Sequence, residues 1–119
     1  MVDPSEADLS YGAVVHALVE AVPELREDLE CHLFNEDGIL PYVFLAIDVT
    51  PFVVAAWRQG QTELTARCLE FLERAASSAD PDTRGLVATS FVDQVGPWKP
   101  EMAAFIATWP PALARSAAG

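Results

Sequence analysis

The stretch YVFLAIDVTPFVVAAW, residues 42–57, decides the fold because it is the most apolar segment of the chain and belongs in its core. Asp48 is the only charged residue of this stretch, and Pro51 lies three residues after it. A proline inside a helix removes a backbone hydrogen bond, and its ring clashes with the preceding turn. We therefore expect two helices in this region, one beginning at Pro41 and one beginning at Thr50–Pro51.

Asp48 would lie at the corner between these two predicted helices. A carboxylate there can accept hydrogen bonds from the free N–H groups of the second helix and favours the positive end of its dipole. A contact with a cation of a binding partner is the other interpretation, and the sequence leaves both open. A carboxylate at the centre of a bilayer would cost about 2.5–3.5 kcal/mol. We therefore expect the segment to lie in a protein core and not in a membrane.

The rest of the chain also has helical periodicity, and no strand-like alternation is present. Prolines divide the pattern: Pro23 ends one run, and Asp80–Pro81 and Lys99–Pro100 each read as a helix start. The sequence predicts an all-α fold, either a compact bundle or a short HEAT-like stack of five to seven short helices. A single domain would span residues 1–119, with flexible ends over 1–9 and 112–119.

The composition is that of one globular domain, with 51% hydrophobic and 21% charged residues in 119. Cys31 and Cys68 fit no zinc-binding pattern. We expect two buried thiols in a reducing cytosol, and a single disulfide between them is the alternative. The first residues lack the basic and apolar regions of a signal peptide, so the predicted location is cytoplasmic.

The charge is concentrated near the N-terminus. Residues 1–37 hold ten acids and one base, whereas residues 38–119 hold eight acids and six bases, which gives the net charge of −11. The negative electrostatic field of these acids repels phosphate, which argues against binding of nucleic acid. It can steer a basic protein partner toward the acidic third, or it can serve solubility alone.

In the second predicted helix Leu25, Leu29 and Leu33 line one side and acidic residues line another. These acids, with the turn that follows and the lone carboxylate of the apolar stretch, are the predicted partner-binding residues. They are Glu24, Glu27, Asp28, Glu30, Glu36, Asp37 and Asp48.

Two histidines are the candidates for a metal or catalytic site. Asp28, His32 and Glu36 share a helical face, but no second histidine lies near them. Cys31 and His32 are adjacent in a helix, so their side chains point about 100° apart and cannot form a dyad. We therefore expect no enzyme activity, no metal and no cofactor.

Three segments carry a resemblance: GILPYVFLAID (38–48), GQTELTARCLEFLERA (60–75) and GLVATSFVDQV (85–95). They cover about half the chain and resemble a family of small, poorly characterised bacterial all-helical proteins. Similar domains occur among proteins assigned as immunity proteins beside bacterial toxins. The resemblance implies an immunity-type inhibitor that covers the cationic site of a basic toxin or effector. The alternative is a non-enzymatic adaptor, regulatory subunit or self-associating scaffold, for which a homodimer would be expected.

Overall fold

The structure, a computed structural model, describes residues 9–36 and 38–119. Within these residues the chain forms seven helices and no strand, which confirms the all-α prediction. The helices are α1 (Val14–Ala21), α2 (Arg26–Asn35), α3 (Pro41–Arg58), α4 (Thr62–Ala76), α5 (81–95), α6 (Ala103–Ile106) and α7 (Pro111–Ala118). The 3₁₀ turns Pro23–Leu25 and Pro100–Met102 lead into α2 and α6.

Proline starts five of these segments, at Pro23, Pro41, Pro81, Pro100 and Pro111. The starts at Pro41, Pro81 and Pro100 confirm the sequence predictions. The predicted cap at Asp80 is also confirmed, because its carboxylate accepts a hydrogen bond of 2.9 Å from the backbone N–H of Asp82. The other oxygen of Asp80 accepts a bond of 2.8 Å from the N–H of Tyr11. Asp80 therefore caps α5 and also ties it to the N-terminal segment.

The predicted break at Pro51 is wrong, because α3 continues through it. Residues Leu45–Val49 form a π-helical segment, in which the N–H of Thr50 bonds to the carbonyl of Leu45 five residues earlier. The wider π turn makes room for the proline ring and changes the hydrogen-bond register where the proline has no N–H. The helix therefore absorbs Pro51 without a corner.

The predicted cap by Asp48 is wrong for the same reason. Asp48 lies inside the π-helical segment, and neither this segment nor the helix after it has a side-chain cap. Thr50 is helical as well, so it does not begin a second helix as predicted. Its hydroxyl donates a hydrogen bond of 2.7 Å to the carbonyl of Ser90. Ser90 lies in a second π-helical segment, Ala88–Val92 within α5.

The core surrounds α4, which packs against α1, α3, α5 and α7. Four phenylalanines are fully buried in this core, Phe71 on α4 itself and Phe44, Phe91 and Phe105 on other helices. The radius of gyration of 13.5 Å equals the value of about 13.5 Å expected for a compact domain of this length. Cys68 is buried in this core, but Cys31 is exposed, so the prediction of two buried thiols is wrong for Cys31. Both are free thiols.

The C-terminal tail, which we predicted to be flexible, forms helix α7. Its Leu113 is completely buried, and Glu73 of α4 accepts bonds of 2.9 and 3.0 Å from the N–H groups of Ala112 and Leu113. At the other end, Leu9 is half-buried and its carbonyl accepts a bond of 2.7 Å from the Thr83 hydroxyl. Residues 1–8, also predicted to be flexible, lie outside the described residues.

Helix α3 is long and apolar enough to cross a membrane by length and composition alone, with a mean hydropathy of 1.2 over 18 residues. The core helix of a soluble protein passes the same test, so this property is weak evidence. Phe44, Leu45, Val49 and Val53 of α3 are buried in the core described above. A third of the 18-residue window is buried inside the protein.

Candidate binding surface

Helix α2 presents most of its surface to solvent. Within its ten residues only Leu29 and His32 are buried. Glu27 and Glu30 are exposed, and Asp28 is partly buried at the side of the helix. Helix α2 is thus held by a narrow apolar contact, and most of its carboxylates remain available.

His32 fixes the end of α2 to the chain that enters α3. Its Nε2 accepts a hydrogen bond of 3.0 Å from the N–H of Leu40, and its ring centroid lies 5.4 Å from that of Phe44. Nε2 is therefore the unprotonated nitrogen in this arrangement. His32 is buried and turns inward, so it does not share an exposed face with Asp28 and Glu36.

The fold brings Asp28 of α2 close to Asp48 of α3, although the two are twenty residues apart in sequence. Burial raises the pKa of Asp28, and the negative charges of Asp48 and Glu27 raise it further. Asp48 is half-buried and accepts no hydrogen bond within the described residues. The pair is an uncompensated negative charge at the junction of two helices.

Glu24 differs from the other predicted carboxylates because it already has a partner. Arg67 of α4 donates to both of its oxygens, at 2.9 and 2.6 Å, and this bonding lowers the pKa of Glu24. The same guanidinium bonds Glu63 at 2.7 Å. Glu24 therefore joins the 3₁₀ turn before α2 to α4, while the charges further along α2 stay free.

Glu36 is exposed directly after α2, and Asp37 lies outside the described residues. We call the remaining set the acidic face. It consists of Glu27, Asp28, Glu30, Glu36 and Asp48.

Large apolar side chains are exposed on α2 and α3, and the sequence pattern did not predict them. Phe34 is 90% exposed and Ile47 is 67% exposed. Leu33, which we placed on the buried side of α2 with Leu25 and Leu29, is 41% exposed. Phe34 therefore leaves nearly all of its apolar surface available for burial against a partner.

Helical phase was the available signal for Phe34. It lies four residues after Glu30 and seven after Glu27, so it shares their outward stripe and not that of Leu25 and Leu29. Ile47 is exposed on α3, directly before the half-buried Asp48 in sequence. The surface therefore combines free carboxylates with apolar side chains that can anchor a contact.

Two grooves are also present in the described part of the chain. The larger, of about 630 Å³, has Trp57, Leu69 and Pro110 in its wall and Glu70 and Glu73 as its charged residues. The smaller, of about 470 Å³, lies between α3 and the end of α5. No residue of the acidic face lines either of them.

These features define an all-α bundle with an acidic, partly apolar surface on its second and third helices. The chain belongs to the family described as Domain of unknown function (DUF7674), which matches residues 15–117. No curated protein matches the chain, and no solved structure matches it. The family description states no function.

Proposed function

We propose that this protein is a binding module that docks a basic protein through the acidic face and Phe34. The most specific form of this proposal is an immunity-type inhibitor that covers the cationic site of a toxin or effector in the cytoplasm. The observation that carries it is Phe34, 90% exposed on the same helical stripe as Glu27 and Glu30.

The charges support a basic partner. Asp28 and Asp48 repel each other in the folded protein, and neither forms an ion pair within the described residues. A lysine or arginine from a partner placed between them would remove this repulsion and form charge-assisted hydrogen bonds. The net charge of −11 would also speed association with a cationic surface at low ionic strength.

The apolar side chains support a stable contact and not only attraction at a distance. Charged residues at the edge of an interface mainly govern the association rate, whereas buried aromatic side chains slow dissociation. Phe34 supplies such an anchor on α2, and Ile47 supplies a second apolar contact on α3. Carboxylates placed around them would occupy the positions that the partner uses for the phosphates of its substrate.

A pull-down from lysate of the native source tests the proposal. The bait is the full chain, compared with the double variant Glu27→Lys/Asp28→Lys and with Phe34→Ser. We expect the wild type to recover one basic protein in stoichiometric amount. Charge reversal should slow its association about tenfold or more at low salt, and Phe34→Ser should speed its dissociation.

The matched control is Glu20→Lys/Glu101→Lys, which changes the net charge equally at two exposed positions outside the acidic face. It should bind almost as the wild type does. Equal loss of binding in the control and in the acidic-face variant would show that net charge alone attracts the partner. That result would refute a specific docking face.

Self-association through the same apolar side chains is the second candidate, because Phe34 and Ile47 could also meet a second copy. The two candidates respond oppositely to salt. Two acidic faces repel, so added salt would strengthen a homodimer, whereas it would weaken a complex with a basic partner. Sedimentation at low and high salt, with Phe34→Ser as the control, separates the scaffold from the inhibitor.

A further inference from the structure

The groove of about 470 Å³ between α3, the end of α5 and the chain leading into α6 differs in charge from the rest of the protein. Its only charged lining residues are Arg58 and Lys99. Gln59 and Gln94 add two side-chain amides. Bases are rare in this chain, with seven against eighteen acids, so two of them in one groove without an acid is unexpected.

Arg58 has little to bind within the protein. Its Nη2 donates to the sulfur of Met102 at 3.7 Å, and a thioether is a weak acceptor. Arg67, by contrast, donates hydrogen bonds to the carboxylates of both Glu24 and Glu63. The guanidinium of Arg58 thus keeps N–H donors available for a ligand.

The turn after α5 places Lys99. Gly96 has a φ of 89°, and the N–H of Lys99 bonds to the Gly96 carbonyl at 2.9 Å. The methylenes of the Lys99 side chain lie over Gly96, and a Cβ added at this glycine would meet two of them at 2.8 Å. Position 96 therefore favours glycine both for its backbone conformation and for the path of the lysine stem.

Neither Arg58 nor Lys99 forms an ion pair within the described residues. Asp93 and Glu101 are exposed neighbours in sequence, but they do not line the groove. The remaining wall is largely apolar, with Pro51, Val54, Val95 and Met102. A positive pair beside an apolar wall fits a ligand that has an anionic group and an apolar body.

We propose that this groove binds a small organic anion. Its carboxylate or phosphate group lies between Arg58 and Lys99, and its apolar body lies against Val54 and Met102. The volume falls within the range of about 300–1,000 Å³ typical of small-molecule sites. This site is independent of the acidic face, so either proposal can fail without the other.

Titrations of the full chain followed by NMR test this site, with phenyl phosphate, benzoate and inorganic phosphate as the probes and chloride at equal ionic strength as the reference. We expect saturable shifts of the amides of Val54, Arg58 and Gln94 with phenyl phosphate, with benzoate or with both. The stronger of the two identifies the anionic group. Arg58→Gln and Lys99→Gln should each weaken binding about tenfold or more.

Arg115→Gln is the matched control, because it removes the same charge from an exposed position outside the groove. It should leave the dissociation constant unchanged. Non-saturable shifts equal to those of chloride, or equal weakening by Arg115→Gln, would overturn the site. If inorganic phosphate binds as tightly as phenyl phosphate, the proposed contact of an apolar ligand body with Val54 and Met102 is refuted. Lys99 is exposed, so its variant remains informative if Arg58→Gln does not fold.

Discussion

Thr50 of α3 donates a hydrogen bond of 2.7 Å from its hydroxyl to the backbone carbonyl of Ser90 in α5. Both residues are buried, and Ser90 belongs to the π-helical segment of its own helix while Thr50 directly follows that of α3. The bond therefore joins two helices where each departs from regular α geometry. The bond fixes the position of α3 against α5. It therefore also fixes one wall of the groove that Arg58 and Lys99 line.

Replacing Thr50 by valine should lower the free energy of unfolding by about 1–2 kcal/mol, because it removes one bond and leaves a carbonyl lone pair buried without a partner. Valine has nearly the same shape, so the loss reports the hydroxyl and not a cavity. Urea denaturation followed by circular dichroism measures the change. Thr50→Ser retains the hydroxyl, and equal destabilisation by both variants would contradict the importance of the bond.

Asp48→Asn should increase stability at neutral pH by about 0.5 kcal/mol, because it removes repulsion from a partly solvent-screened pair. It should also lower the pKa of Asp28, though not fully to its ordinary value, since burial is the larger cause of the elevation. Titration of the Asp28 carboxyl group by NMR measures this shift. Asp93→Asn changes the net charge equally at an exposed site and is the control.

The sign of the pH dependence follows from the raised pKa of Asp28. The folded protein binds this proton more tightly than the unfolded chain does, so the contribution of Asp28 to stability increases as the pH falls through its folded pKa. Asp48→Asn should reduce this gain relative to wild type and to Asp93→Asn. An unchanged difference in stability between neutral and mildly acidic pH would contradict the coupling of Asp28 with Asp48.

Glu73→Ala should loosen α7, because the Glu73 carboxylate bonds the N–H groups of Ala112 and Leu113 at the start of that helix. Loss of a cap costs about 1 kcal/mol, so the amides of α7 should exchange with solvent about fivefold faster or more. Hydrogen exchange followed by NMR or mass spectrometry measures this. Glu70→Ala, at an exposed position on α4, should leave α7 unchanged.

Local signals were sufficient where a helix begins with its own proline or cap, as at Pro41 and at Asp80–Pro81. They failed where a distant residue supplied the missing group. The sequence pattern did not predict the helix that begins at Pro111, whose N–H groups at Ala112 and Leu113 find their acceptor in Glu73, almost forty residues earlier. The pattern at Pro51 indicated a break, since a π-helical segment leaves no distinctive spacing in sequence.

The candidate surface was predicted in part for a similar reason. The acids of α2 are visible as a cluster in sequence, but their pairing with Asp48 depends on how α2 packs against α3. The ion pair of Glu24 with Arg67 likewise depends on tertiary packing, because the two residues are 43 positions apart in sequence. Phe34 could have been found from its helical phase, whereas Arg58 and Lys99 line one groove only because α3 and the end of α5 lie side by side.

Only one thiol should react quickly in the native protein. Cys68 is 1% exposed, and burial raises its pKa to about 11, so little thiolate is present or accessible. Cys31 is exposed on α2. Iodoacetamide at mildly alkaline pH should label Cys31 at least about a hundredfold faster than Cys68, which reacts only after unfolding. Peptide mass spectrometry identifies the labelled residue.

Cys31 follows Glu30 and precedes Phe34 by three residues, so it shares the stripe that the proposed partner would cover. A bound partner should therefore slow labelling of Cys31 while Cys68 stays slow, and a bulky maleimide attached to Cys31 should reduce capture of the partner. Cys31→Ser removes the fast reaction and should bind normally in the presence of maleimide. Unchanged labelling of Cys31 in a saturated complex would mean that the partner docks elsewhere.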